Sequence, residues 1–151
     1  MAQQIINVSA HSTASPHDVF CLLADGNTWP AWGAWTAYRL ETAGTDSVQG
    51  PGAVRVFTSR RRGRTTVSRE RILGVVPDQR IDYELLSGLP LRNYRAAVEL
   101  EPAGAGTLIR WRATFDGATP GTAWFYRRVL TGFIQDAARR VAGYAPLHSA
   151  R

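Results

Sequence analysis

The chain has 151 residues, of which 44% are hydrophobic, and it carries a formal net charge of +6. This length and composition predict one globular domain, spanning 1–151, that can bury a sizeable core. They exclude a membrane-spanning helix, since no apolar run approaches the roughly 20 residues that a bilayer crossing needs, and we expect no stable membrane insertion.

The first part of the chain predicts one strand followed by two short helices. Residues 3–10 have the pattern of a strand. After a polar break, Ser15 suits a helix N-cap, Pro16 the first helical position and Asp18 the acidic first turn. The aromatic segment 27–35, with the sequence NTWPAWGAW, predicts a second short helix.

The rest of the chain predicts a meander of strands and then one long helix. The strands are expected at 36–42, 53–59, 65–76, 80–86, 91–101 and 107–115. Residues 121–144 carry apolar side chains at helical spacing. The predicted stripe consists of Tyr126, Val129, Leu130, Phe133, Ile134, Ala137, Val141 and Tyr144. Seven strands with a helix laid across them make an α+β fold.

The turns predict which residues oppose each other, and opposed residues share a face of the sheet. A turn near 62–63 pairs Arg55 with Glu70. A hairpin at Gly88 pairs Tyr83 with Tyr94, and one at 104–105 pairs Tyr94 with Phe115. The predicted inner face consists of Tyr83, Leu85, Tyr94, Ala96, Val98, Ile109, Trp111, Ala113 and Phe115.

The 65–72 strand offers two faces. We expect the face with Ser68 and Glu70 to be the inner one, because the other carries Arg69 and Arg71, and two adjacent arginines are costly to bury. This choice places an Arg55–Glu70 pair inside the protein.

Several stretches of the chain resemble the polyketide cyclase/dehydrase and lipid-transport family, part of the START and birch-pollen-allergen-like superfamily (SRPBCC). They are GPGAVRVF, RERI, PDQRIDY, SGLPLRNYRAAVELEP and GTLIRWRATF, with SPHDVF and ADGNTWPAW earlier in the chain. The resemblance covers nearly the whole chain. It implies a helix-grip fold, in which a curved seven-stranded antiparallel sheet wraps a long C-terminal helix and leaves a hydrophobic cavity between them.

The predicted cavity wall combines the inner face of the sheet with the apolar side of the long helix. The expected ligand-binding residues are Trp32, Trp35, Phe57, Tyr83, Tyr94, Trp111, Phe115, Tyr126, Leu130 and Phe133. The alternative role is aromatic packing for Tyr83 and Tyr94 and core packing for the tryptophans.

The Arg55–Glu70 pair is the main polar feature of the predicted cavity, and three roles stay open for it. The pair orders the sheet, anchors a polar group of a ligand, or supplies acid–base catalysis. In the catalytic role, Arg55 polarises an oxygen of the substrate while Glu70 moves a proton.

Other kinds of site are not indicated. The three histidines have no metal-ligand spacing, and no glycine-rich phosphate loop occurs. Neither the serines nor the single cysteine, Cys21, have an evident His/Asp arrangement for nucleophilic catalysis. We therefore expect no metal and no cofactor. The basic segment 60–64, RRRGR, is the strongest nucleic-acid signal, but it suits an exposed hairpin tip, and nucleic-acid binding is not expected.

The cellular location is predicted from the N-terminus and the cysteine content. The first residues lack the basic and apolar regions of a secretory signal peptide. Cys21 cannot form an internal disulfide and lies among apolar residues, as a structural thiol does. Both features predict a cytoplasmic protein.

Together these observations predict a protein that binds a small hydrophobic or aromatic molecule in an internal cavity. Through the resemblance, its enzymatic interpretation is a polyketide cyclase, aromatase or dehydratase-like protein that folds a poly-carbonyl chain for reaction. The alternatives are a non-catalytic carrier or sensor of a lipid or aromatic metabolite, and an RNA- or protein-interaction module. The sequence carries no signal for an oligomeric state.

Overall fold

The computed structural model describes residues 3–148, so residues 1–2 and 149–151 of the expected domain lie outside the described part. The elements are β1 (Gln4–Ser12), α1 (Pro16–Ala24), α2 (Trp29–Trp32), β2 (Trp35–Thr42), β3 (Val54–Arg61), β4 (Arg64–Val76), β5 (Arg80–Ser87), β6 (Leu91–Ala103), β7 (Gly106–Gly117) and α3 (Ala123–Tyr144). The predicted element order is confirmed.

The helix boundaries follow from local chemistry. Ser15 caps α1, its side-chain oxygen accepting a hydrogen bond of 3.2 Å from the Asp18 backbone N–H, and Pro16 is the first helical residue. At 22 residues, α3 is about 33 Å long. It is therefore long enough to cross the whole sheet.

The seven strands form one antiparallel sheet in the order β1-β7-β6-β5-β4-β3-β2. The first strand pairs with the last, while the six strands from β2 to β7 follow one another as a meander. This topology confirms the predicted α+β class, with a long helix that packs mainly against β1 and β7.

The β3–β4 register is confirmed, with Arg55 opposite Glu70. The predicted β5–β6 register is wrong by two residues, because Tyr83 lies opposite Ala96 rather than Tyr94. The hairpin is centred between Leu89 and Pro90 rather than at Gly88. A separate β-bulge between Arg92 and Arg95 shifts the register between β6 and β7. A shift of two residues keeps every side chain on its predicted face, so the inner face is unchanged.

The same bulge removes the predicted cross-strand pairing of Tyr94 with Phe115. These two rings nevertheless stack, with centroids 6.1 Å apart. Both side chains are buried on the inner face of the sheet.

The buried side of α3 is rotated from the predicted stripe. The buried residues are Leu130, Ile134, Ala137, Ala138, Val141 and Ala142. Val129 is 37% exposed, and Tyr126, Phe133 and Tyr144 are only partly buried. The physical reason is that α3 rests on β1 and β7, so one flank of its apolar side faces open space over the middle of the sheet.

Candidate ligand cavity

A cavity of about 690 Å³ lies between α3 and the inner face of the sheet. Its size falls within the range of small-molecule sites in proteins. Side chains from β3 to β7 and from the segment around α2 meet those of α3 around it. The apolar lining consists of Trp29, Ala34, Trp35, Leu85, Leu89, Trp111, Val129, Leu130, Phe133, Ile134 and Ala137.

Trp29 organises the aromatic end of this cavity. Its ring lies 4.7 Å from Trp35, 4.6 Å from Phe57 and 5.9 Å from Trp111, measured between centroids. The indole N–H of Trp29 donates a hydrogen bond of 3.1 Å to the Leu23 carbonyl. Because this polar group is satisfied and the ring is buried, Trp29 provides a fixed wall for the cavity.

Trp35 connects this cluster to α3. Its ring meets the Phe133 ring edge to face at 5.4 Å. Gly33 makes the arrangement possible, because a Cβ there would lie 2.2 Å from the Trp35 ring. The segment that follows α2 and the middle of α3 therefore close one end of the cavity together.

Six of the ten predicted ligand-binding residues line the cavity. They are Trp35, Tyr83, Tyr94, Trp111, Leu130 and Phe133. Tyr83, Tyr94 and Trp111 belong to the predicted inner face of the sheet. Leu130 and Phe133 belong to the predicted apolar stripe of α3. Ligand contact by any of them stays a prediction.

The other four lie outside the lining. Trp32, Phe57 and Phe115 are buried in the core, and Tyr126 is half-buried with its ring 5.3 Å from Phe125. Contact between these four residues and a ligand likewise stays a prediction.

Arg55 is only 2% exposed and does not line the cavity. Its guanidinium donates hydrogen bonds of 3.3 Å to the carbonyls of Leu23 and Ala24 and lies 4.8 Å from the Trp29 ring and 5.1 Å from the Phe57 ring. Burial lowers the pKa of Arg55, and the Glu70 charge opposes this. These contacts join the end of α1 to the sheet.

Glu70 faces the cavity from β4. Burial raises the pKa of its carboxyl to about 7, and the positive charge of Arg55 opposes the rise. Within residues 3–148, no group donates a hydrogen bond to this carboxyl, and Arg55 does not approach it within ion-pair distance. The cavity therefore contains a carboxyl that is free to bind a ligand and that titrates near neutral pH.

Two tyrosines adjoin Glu70. The Tyr83 hydroxyl accepts a hydrogen bond of 3.0 Å from the indole N–H of Trp111. Burial raises the pKa of both Tyr83 and Tyr94, and the Glu70 charge adds to the effect. Both phenols therefore keep their protons at neutral pH. The Tyr83 hydroxyl is hydrogen-bonded to Tyr94, so the Tyr94 hydroxyl is the donor that remains for a ligand.

Charged side chains that were not predicted from the sequence to line the cavity lie at its open end. Arg60 and Arg61, at the end of β3, and Arg128, on α3, line it together with Asp136. The strand alternation could have indicated Arg61, since it shares a face with Phe57 and Ser59. The helical period, in contrast, placed Arg128 on the polar side of α3.

Cys21, His17 and Asp78 come together at the surface, although their spacing in the sequence did not suggest it. Cys21 Sγ lies 3.5 Å from His17 Nε2, and His17 Nδ1 lies 2.8 Å from Asp78 Oδ1. Partial burial, then Asp78 and Asp18, raise the pKa of the thiol, so it stays protonated. The three residues lie outside the cavity lining, and this arrangement does not describe an activated nucleophile.

Two further features of the described residues bear on function. Across residues 3–148, no cluster of three or more His, Cys, Asp or Glu side chains is arranged to hold a metal ion. No helix in the same range has the length and hydropathy that a bilayer crossing requires.

Comparison with known proteins identifies relatives of this sequence and fold. A sequence profile of the family described as polyketide cyclase/dehydrase and lipid transport matches residues 3–145. The structure of Ara h 8.0201 is 21% identical with a TM-score of 0.76, covering 97% of this chain and 100% of that one. A START superfamily protein from Mycobacterium smegmatis is 12% identical with a TM-score of 0.81, covering 95% and 97%.

A third structure, the di-domain ARO/CYC StfQ from the steffimycin biosynthetic pathway, is 16% identical with a TM-score of 0.78, covering 96% of this chain and 51% of that one. No curated protein matches the sequence. At these identities the structures establish the fold, and they confirm the helix-grip architecture that the sequence resemblance implied.

Proposed function

The chain belongs to the polyketide cyclase/dehydrase and lipid-transport family, and from that premise we propose that it binds a small hydrophobic, aromatic molecule in the cavity between α3 and the sheet. The observation that carries the proposal is the cavity itself, about 690 Å³ in volume and lined largely by aromatic and aliphatic side chains. Such a lining favours a flat apolar ligand, which can stack on the indole rings.

The test is a binding titration with N-phenyl-1-naphthylamine, an uncharged probe whose emission rises in apolar surroundings. Trp29, Trp35 and Trp111 line the cavity, so a probe bound there should show strong energy transfer from tryptophan. We expect saturable binding of one probe per chain.

A pair of variants on one strand locates the binding site. Ser68→Phe introduces a ring into the cavity, whereas Val67→Phe introduces the same ring next to it on the outer face, where Val67 is 47% exposed. Ser68→Phe should weaken probe binding by about tenfold or more, since filling the site removes the buried contact area. Val67→Phe should leave it unchanged. Equal affinities in the two variants contradict binding in the cavity.

A second candidate function is proton transfer on a carbonyl-containing ligand, and Glu70 is the observation that favours it. Its carboxyl lines the cavity, lacks a hydrogen-bond donor within residues 3–148 and has a pKa of about 7. At neutral pH such a group occurs in both protonation states, as a general base or acid requires.

In this mechanism, the Glu70 carboxylate removes a proton from the carbon next to a ligand carbonyl. The resulting enolate attacks a second carbonyl of the same chain, and the new alkoxide takes the proton back from Glu70. Tyr94 can donate a hydrogen bond to the enolate oxygen. Arg55 acts through Glu70, because its charge keeps the pKa of the carboxyl from rising further.

Hydrogen–deuterium exchange of 2-tetralone, a bicyclic aromatic ketone, tests the proton-transfer step alone. The protein should accelerate exchange at the carbon next to the carbonyl, with a rate that rises as pH passes through about 7. Glu70→Gln should abolish the acceleration. Glu84→Gln, on the neighbouring strand where Glu84 pairs with Arg71, should retain it. Tight probe binding without any acceleration of exchange indicates a carrier instead.

A further inference from the structure

The open end of the cavity is positively charged. Arg60 and Arg61 approach it from the end of β3, and Arg128 approaches it from α3. All three side chains are exposed. By strand alternation, Arg61 lies on the same face as the cavity residue Ser59, so its guanidinium is directed towards the space above the sheet.

These arginines have no acidic partner among residues 3–148. Within residues 3–148, the ion pairs of arginine involve Arg69, Arg71, Arg80, Arg110, Arg112 and Arg140. Asp136 is the one carboxylate that lines this end of the described cavity, and it pairs with Arg140 at 2.7 Å. The guanidinium groups at the opening therefore remain available to a ligand.

Glu70 lies further inside the cavity than these arginines. It is opposite Arg55, six residues before Arg61 on β3, which corresponds to about 20 Å along the strand. Its carboxyl is partly ionised at neutral pH, and aromatic side chains line the same cavity. An anion placed there would lose its hydration and meet a like charge. A ligand that carries one negative group is therefore held with that group at the opening and its apolar part inside.

We propose that the ligand of this cavity is amphipathic, with an anionic oxygen group, carboxylate or phosphate, bound at the opening by Arg61 and Arg128. This inference rests on the proposed ligand-binding function and specifies the ligand class. A guanidinium suits both groups, because its planar N–H donors match two anionic oxygens at once. Arg60 adds positive charge beside them.

Two probes with the same ring system test the proposal. 8-Anilinonaphthalene-1-sulfonate carries a sulfonate that N-phenyl-1-naphthylamine lacks. Arg61→Gln and Arg128→Gln should each weaken binding of the sulfonate probe by about two- to fivefold, the range for exposed charge pairs. The double variant should weaken it by roughly the product. Affinity for the uncharged probe should stay the same.

Matched controls separate a local site from general attraction by a basic protein. Arg62→Gln, at the turn after β3, and Arg127→Gln, on α3, remove the same charge at positions that do not line the cavity. Both should bind the sulfonate probe as the unaltered chain does. An equal loss in these controls overturns the proposal, and so does an unchanged affinity in the double variant. Near-ultraviolet circular dichroism verifies that each variant is folded.

A competition experiment distinguishes the two anionic groups. Dodecanoate, dodecyl phosphate and dodecanol should each displace the uncharged probe. In the double variant, the affinity for the two anionic competitors should fall, whereas the affinity for dodecanol should stay the same. The anion whose affinity falls more carries the preferred group. If the uncharged probe does not bind, or binds Ser68→Phe as well, the ligand-binding function itself fails. If it binds normally and the arginine variants have no selective effect, the ligand-class inference alone fails.

Discussion

Arg55 and Glu70 lie directly opposite each other on β3 and β4, yet no ion pair joins their charged groups. Arg55 turns towards the end of α1, where the carbonyls of Leu23 and Ala24 accept its hydrogen bonds. Glu70 faces the cavity instead. The separation leaves the carboxyl without direct neutralisation, which is why burial can raise its pKa to about 7.

This pKa predicts how stability depends on pH. The pKa of Glu70 is about 7 in the folded protein against an ordinary value of 4.5, so the folded state binds the proton more tightly than the unfolded chain. The contribution of Glu70 to the free energy of unfolding should therefore fall as pH rises from about 4.5 to about 7, by on the order of 3 kcal/mol.

Urea unfolding at pH 5 and pH 8 measures this effect. Glu70→Gln, which cannot ionise, should lose less stability between the two pH values than the unaltered chain. Glu84→Gln provides the control, because Glu84 is ion-paired with Arg71 on the outer face. The same pH dependence in Glu70→Gln as in the unaltered chain contradicts the assignment.

Replacing the buried guanidinium should destabilise the protein. Arg55→Leu removes donors from the Leu23 and Ala24 carbonyls, and we expect a loss of about 2–4 kcal/mol in chemical denaturation. The pKa of Glu70 should also rise further, because the opposing positive charge is gone. Infrared spectroscopy of the carboxyl stretch measures that second effect.

Arg71→Leu is the control for this substitution. Its pair with Glu84, at 3.3 Å, is partly exposed and should contribute less than about 1 kcal/mol. Equal losses in Arg55→Leu and Arg71→Leu contradict a special role for the buried guanidinium.

The hydrogen bond from Trp111 to Tyr83 should stabilise the side of the cavity that the sheet forms. Tyr83→Phe leaves the buried indole N–H of Trp111 without its acceptor, and the expected cost is about 1–3 kcal/mol. Tyr126→Phe removes a hydroxyl that is unpaired within residues 3–148 and should have little effect. Thermal unfolding of the two variants compares them, and similar melting temperatures contradict the prediction.

Ser12 should anchor α3 to the end of β1. Its buried hydroxyl donates a hydrogen bond of 2.8 Å to the Ala142 carbonyl and accepts one of 3.1 Å from the Ala14 N–H. Ser12→Ala should lower the free energy of unfolding by about 1–3 kcal/mol, whereas Ser9→Ala, on the exposed face of the same strand, should change it little. The difference between the two urea midpoints checks the prediction.

The order of elements, the inner face of the sheet and the position opposite Glu70 could all be predicted from the sequence. Strand alternation and turn position determine them locally, since the side-chain period of a strand is two and a hairpin relates residues symmetrically about its turn. The two-residue error at Tyr83 changed no face for this reason. It came from the position of the turn, because the centre of the β5–β6 hairpin lies between Leu89 and Pro90 rather than at Gly88.

The cavity and its charge arrangement were decided by the tertiary structure. Whether Arg55 meets Glu70 depends on where α1 ends, because its carbonyls compete for the guanidinium. Whether Arg128 lies on the outer surface or lines the opening of the cavity depends on how α3 is rotated over β1 and β7. Both are set by contacts between segments far apart in the chain, which the sequence pattern of either segment alone does not contain.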